Sequence, residues 1–108
     1  MVEDMVRKGR LLDLYGALLT DKQRRCMEMY YLMDLSLAEI GEELAISRQG
    51  AYDMLHRAAK ILETYETKLH LLSRHELLHE QLDEVVQLIG KKDGASLQKA
   101  THILTDID

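Results

Sequence analysis

Apolar residues recur along almost the whole chain at spacings of three and four, and nowhere do they alternate with polar ones over the length of a strand. That is the period of amphipathic helices, and it predicts an all-α protein. Leu11, Leu12, Leu14, Tyr15, Leu18 and Leu19 give a first helix, from about Asp4 to Leu18, a broad apolar face, with Arg7, Lys8 and Arg10 on its polar side. A second helix is expected from Asp21 to about Met33, with Met27, Tyr30 and Tyr31 as its contacts. Leu37, Ile40 and Leu44 mark a short third helix to about Ala45, and Ala51, Met54, Leu55 and Ala58 open a fourth that starts at Arg48.

Start signals punctuate this pattern. Thr20 with Gln23 and Ser36 with Glu39 both fit the capping box, in which a hydroxyl and a carboxylate or amide satisfy orphan backbone donors reciprocally. Ser47 supplies a third cap. Between the last two caps, Gly41 is small enough for a following helix to cross closely, and Ile46 is placed to plug the wedge at the turn. The segment from Thr20 to Leu62 therefore reads as a helix-turn-helix with a supporting helix before it.

The fourth helix carries no stop signal for some 25 residues. Leu55, Ala58, Leu62, Tyr65, Leu69 and Leu72 follow one another at spacings of three, four, three, four and three, a heptad seam. The pattern slips at Ser73 to His75 and resumes on a shifted face as Leu78, Leu82, Val85 and Ile89, so the helix kinks there or a second helix folds back. Residues 90–94 read as a helix end, with a terminal helix around Ser96 to Thr105. The expected organisation is a helix-turn-helix domain over 1–63 and a helical arm over 64–108. Leu62, Tyr65, Leu69, Leu72, Leu78, Leu82, Val85 and Ile89 are the candidate interface between two copies.

Composition sharpens parts of this picture. At 108 residues, 46% hydrophobic and 31% charged, the chain suffices for one small core with an extension. Proline is absent, and so are Phe and Trp, so Leu, Ile, six Met and five Tyr must fill the core. Methionine makes an adaptable packing surface. The single Cys26 forms no internal disulfide and, beside Met27 in an apolar stretch, reads as core filler. No signal peptide and no run of about 18 apolar residues appears, so a cytoplasmic protein away from the membrane is expected.

Charge tests the idea of nucleic-acid binding. The chain holds 14 basic against 19 acidic residues, and the segment Thr20 to Glu63 holds six against eight. A local cluster is still available from Arg24, Arg25, Arg48, Arg57 and Lys60. At the start of the fourth helix, Arg48 suits guanine or a phosphate and Gln49 suits adenine, whereas Asp53 opposes phosphates and Gly50 offers no side chain. The candidate nucleic-acid or partner-binding residues are Arg24, Arg25, Ser47, Arg48, Gln49, Tyr52, Arg57 and Lys60.

The run LTDKQRRCMEMYYLMDLSLAEIGEELAISRQ resembles the region of bacterial sigma factors that reads the −35 promoter element, over about 40 residues. By that resemblance the base-contacting positions fall on Arg48, Gln49, Tyr52 and Asp53, and Arg48 alone keeps the expected type. The longer run is similar to the YlxM family of bacteria, Gram-positive ones above all. LYGALLTDKQR, YLMDLSLAEIGEELAISRQGAYD and ETYETKL carry the likeness, over roughly residues 10 to 90, while Gly50 departs from the alanine usual there. The YlxM resemblance implies a sigma-region-4-like helix-turn-helix, a helical tail used for homodimerisation, and a gene beside that of Ffh, the GTPase of the signal recognition particle. It implies a regulatory or accessory role in that targeting pathway, through binding to Ffh, its RNA or DNA. A sequence-specific transcriptional regulator is the alternative, and a purely structural helical oligomer a third reading.

His75, Glu76, Leu77, Leu78 and His79 spell the H-E-x-x-H pattern, which sets two imidazoles on one helical face as zinc proteases require. A third ligand is not supplied at the usual spacing, because positions 82 and 85 are Leu and Val. With no phosphate-binding glycine loop and no nucleophile beside a base, no enzyme activity, metal or cofactor is expected.

Overall fold

The computed structural model describes residues 2–107. It is all-α: α1 (Val2–Tyr15), a 3₁₀ turn (Gly16–Leu18), α2 (Asp21–Tyr31), α3 (Leu37–Leu44), α4 (Arg48–Leu69), α5 (Leu71–Lys91) and α6 (Gly94–Asp106). No described helix is long and apolar enough to cross a membrane. The chain forms two compact units, one ending at Leu72 and one beginning at Ser73.

In the first unit α4 packs against α1, α2 and α3. Leu11, Tyr15, Cys26, Met27, Ile40 and Leu62 are fully enclosed at its centre. Both capping boxes form: Thr20 Oγ1 accepts from the Gln23 amide and Ser36 Oγ from the Glu39 amide, each with its return bond. α3 ends with Ala45 in the left-handed region at φ 56°. There the Ile46 amide donates to the Gly41 carbonyl at 2.9 Å and the Ala45 amide to that of Glu42 at 3.3 Å, the paired bonds of a Schellman stop. Gly41 is required at this corner, since a Cβ on it would meet the Ile46 carbonyl oxygen at 2.8 Å. Ile46 is half-buried against the core, filling the wedge as its place at the turn suggests.

Several boundaries differ from those read off the periodicity. α1 stops at Tyr15, and the 3₁₀ turn that follows leaves Leu14 and Leu18 exposed while Leu11, Leu12, Tyr15 and Leu19 go inside. α2 ends at Tyr31, two residues early. The long helix breaks at His70, in the left-handed region at φ 57°, and not at Ser73 to His75. This break is stabilised from a distance. Tyr15 Oη donates to Glu66 Oε1 at 2.7 Å and accepts the Leu71 amide at 3.0 Å, and Glu66 Oε1 also accepts the Leu72 amide at 2.9 Å. Two side chains from α1 and α4 thus satisfy the first free donors of α5, a need every helix start carries.

The predicted seam divides accordingly. Leu55, Ala58, Leu62 and Leu72 are buried in the first unit's own core with Tyr65 packed beside them, whereas Leu69 is exposed. In the second unit, Val85 and Leu88 of α5 pack with Ala100 and Ile103 of α6. Leu78, Leu82 and Ile89 stay exposed there. α6 starts at Gly94, earlier than Ser96, because Asp93 is its cap: Oδ1 accepts the Ser96 amide at 2.7 Å and Oδ2 the Ser96 hydroxyl at 3.0 Å.

Candidate nucleic-acid and partner interface

The corner between α3 and α4 presents the first turns of α4 to solvent, the geometry by which a helix-turn-helix offers its second helix to a groove. Ser47 Oγ accepts the Gly50 amide at 2.9 Å and fixes where that helix begins. A Cβ at Gly50 would lie 3.1 Å from this hydroxyl oxygen and 3.6 Å from Ile46 Cβ, so glycine here spares the cap a tight contact. Ala51, Leu55, Ala58 and Leu62 turn inward, and Cys26 Sγ lies 3.8 Å from the Ala51 carbonyl oxygen beneath them. Burial raises the Cys26 thiol above its usual range, the reverse of what a reactive thiolate needs.

The opposite side of α4 carries the predicted residues, and many of its polar groups are already engaged. Gln49 Nε2 donates to Asp53 Oδ1 at 3.1 Å, so the amide suited to adenine is held by the carboxylate one turn on. The Tyr52 ring lies against His56 with centroids 4.0 Å apart, and His56 Nδ1 is 3.0 Å from the Tyr52 carbonyl oxygen. On α2, Arg24 pairs with Asp21 at 2.9 Å and with Glu28 at 3.6 Å. Arg25, Arg48, Arg57 and Lys60 are exposed and enter no ion pair among the described residues. Arg25 stands apart, at the edge of a depression of about 370 Å³ shared with Glu28, Met29, Met33, Leu35 and Glu43.

A charged clamp sets the position of α4. Arg7 Nε and Nη2 donate to the two oxygens of Glu63 at 2.9 Å each, and Lys8 Nζ donates to Oε1 at 3.0 Å. The bidentate Arg7 bond is the main reason the Glu63 carboxyl is lowered to about 2; Lys8 adds to it and partial burial opposes it. Burial, followed by the hydrogen bond to Glu66, raises the Tyr15 hydroxyl. The basic cluster of α1 is thus spent in part on holding α4.

Sequence reasoning missed a groove further along the same helix. Arg57, Lys60, Ile61, Thr64, Tyr65 and Lys68 line an open hollow of about 530 Å³. Its signal was available, because Lys68 follows Arg57 by 11 residues and Lys60 by eight, three and about two turns on. Of the residues predicted to join two copies, Leu62 and Leu72 are enclosed by their own chain and Val85 by α6, so they offer a partner no surface. Leu69, Leu78, Leu82 and Ile89 do. In the H-E-x-x-H stretch the His75 and His79 rings lie 6.3 Å apart and both are exposed. Among the described residues no three His, Cys, Asp or Glu stand together as a metal site.

The architecture has relatives. A family model described as "Putative helix-turn-helix protein, YlxM / p13 like" (UPF0122) matches residues 2–103. The chain belongs to this family. It is 45% identical over 107 residues to a UPF0122 protein of Streptococcus pneumoniae serotype 19F (strain G54), covering 99% of this chain and 96% of the relative. It is 54% identical over 96 residues to a UPF0122 protein of Thermoanaerobacter sp. (strain X514), covering 86% and 82%. The family match runs over both compact units, so α5 and α6 belong to the UPF0122 chain as much as its helix-turn-helix does.

Proposed function

We propose that the chain is a non-enzymatic regulatory or accessory protein of the signal recognition particle pathway, which docks the exposed side of α4 on the GTPase Ffh or on the particle's RNA. The observation that carries this reading is the state of the recognition helix. Gln49 is bonded to Asp53 and Tyr52 is turned onto His56, while Arg48, Arg57 and Lys60 remain unpaired. Such a surface favours attachment to a charged partner over the reading of base edges, for which Arg48 alone of the two suited residues, Arg48 and Gln49, stands free. The pathway itself rests on the YlxM resemblance and puts the protein in the cytoplasm. Calorimetric titration of the purified chain into Ffh, and separately into the RNA, tests it. Binding to at least one at micromolar concentration, weakened by Arg48→Ala, is expected, and silence with both defeats the proposal.

Sequence-specific DNA binding and transcriptional regulation is the second reading, favoured by Arg48 standing unpaired in the first turn of a Ser47-capped helix. In that case selected duplexes bind with a steep salt dependence and lose discrimination in Arg48→Ala. Homodimerisation through the exposed Leu78, Leu82 and Ile89 completes the proposal. Sedimentation equilibrium giving a strict monomer removes that part.

A further inference from the structure

We infer that the groove along α4 from Arg57 to Lys68 is a docking site for an acidic amphipathic helix of a protein partner. This deepens the docking reading above, and rests on it, by giving the chemistry of what lies on the helix beyond its first turns. The groove has two components. Its floor is apolar, built from the half-buried Ile61 and Tyr65, and Tyr65 is backed by Tyr15 with ring centroids 6.0 Å apart and 23° between planes. Its rim is cationic: Arg57, Lys60 and Lys68 are exposed, and none enters an ion pair among the described residues. The nearest carboxylates on α4 are already engaged: Asp53, one turn before Arg57, accepts from Gln49, Glu63 is held by Arg7 and Lys8, and Glu66 is buried on Tyr15 and the Leu72 amide. The Thr64 hydroxyl is likewise occupied, donating to the Lys60 carbonyl at 2.9 Å.

The dimensions and the charge select the occupant. From Arg57 to Lys68 the helix rises about 16 Å, the length of three turns, which matches a short helix laid along it. An acidic amphipathic helix brings leucines to Ile61 and Tyr65 and carboxylates to the three cations, the helix-in-groove mode of recognition. A nucleic-acid backbone uses the cations and leaves the apolar floor uncovered. Single strands stack bases on open aromatic faces, and Tyr65, the one aromatic side chain lining the groove, is half-buried with one face on Tyr15.

The test uses the full isotope-labelled chain and a synthetic acidic peptide with leucines at i, i+3, i+4 and i+7 and glutamates between them, followed by amide chemical shifts. Saturable shifts centred on residues 57–68, with an affinity about tenfold weaker in Lys68→Glu and kept in Lys68→Arg, are expected. Lys68 is exposed, and the thermal melt of Lys68→Glu verifies that the fold is intact. No saturable shift at those amides, an unchanged affinity in Lys68→Glu, or tighter occupation of Ile61 and Tyr65 by a single-stranded RNA of equal charge overturns the inference. Arg48→Ala separates it from the docking proposal. That variant leaves the peptide affinity unchanged if the groove is the site, and lowers affinity for Ffh or the RNA if the docking proposal holds. Peptide binding without Ffh or RNA binding supports the groove while removing the pathway; Ffh or RNA binding without peptide binding removes the groove alone.

Discussion

Between Leu11 and Leu72 fourteen side chains are buried in one cluster, whereas among the described residues beyond Ser73 only Val85, Leu88 and Ala100 are, with Ile103 packed against them. The second unit leaves Leu77, Leu78, Leu82, Val86, Ile89, Leu97 and Leu104 exposed. The two stretches have nearly the same helical periodicity, so amphipathic pattern alone does not decide how much surface is covered. The number of helices that converge does. α4 is enclosed by three others, while α5 and α6 have one cluster between them, and a core that small is marginal by itself. Leucines are exposed on both units, Leu18 and Leu32 on the first among them, but on α5 and α6 they outnumber the buried side chains, which suits contact with another molecule.

The comparison is sharpest at the two cores. Leu62→Ala removes a side chain with no exposed surface and is expected to cost about 3 kcal/mol in a urea titration, against about 1.5 kcal/mol for Val85→Ala. Equal losses would mean that the second unit is as tightly built as the first. An effect between these two is expected at the corner. Gly41→Ala drives a methyl group toward the Ile46 carbonyl and should cost about 2 kcal/mol while leaving hydrogen-exchange protection of α6 unchanged. Loss of protection in α6 as well would show that the units unfold together.

The smallest effect belongs to the clamp. Glu63 has a folded pKa of about 2, below the ordinary value, so its stabilisation is present above the unfolded carboxylate range and disappears as pH falls toward 2. Because Arg7 and Glu63 are both partly exposed, screening holds the effect to about 1 kcal/mol. Urea titrations between those limits should lose this increment in the wild type and keep a flatter profile in Glu63→Gln. An identical slope in both proteins assigns the acid sensitivity elsewhere.

What could be read from sequence was what is decided within a few residues. Thr20 with Gln23, Ser36 with Glu39, and Ser47 are local capping chemistry, and all three appear where their spacing puts them. The break at His70 was not legible, because neither glycine nor proline marks it. Its determinants, Tyr15 and Glu66, include one 55 residues away in the chain. The seam misled for a related reason: a heptad pattern specifies a face without specifying whether the same chain or another covers it. On the candidate interface, Arg48, Arg57 and Lys60 were identified as exposed cations, while the Gln49 to Asp53 bond converts a base-reading pair into a closed one. That i, i+4 spacing was visible, but its meaning depends on rotamers that spacing does not fix.

The cap that Tyr15 and Glu66 place on α5 has a consequence for synthesis. A ribosome releases the chain from its N-terminus, so α1 and α4 are already outside, and free to pair, by the time Leu71 and Leu72 emerge. The acceptors for their amides therefore emerge before the donors do, and α5 starts against side chains that are already outside.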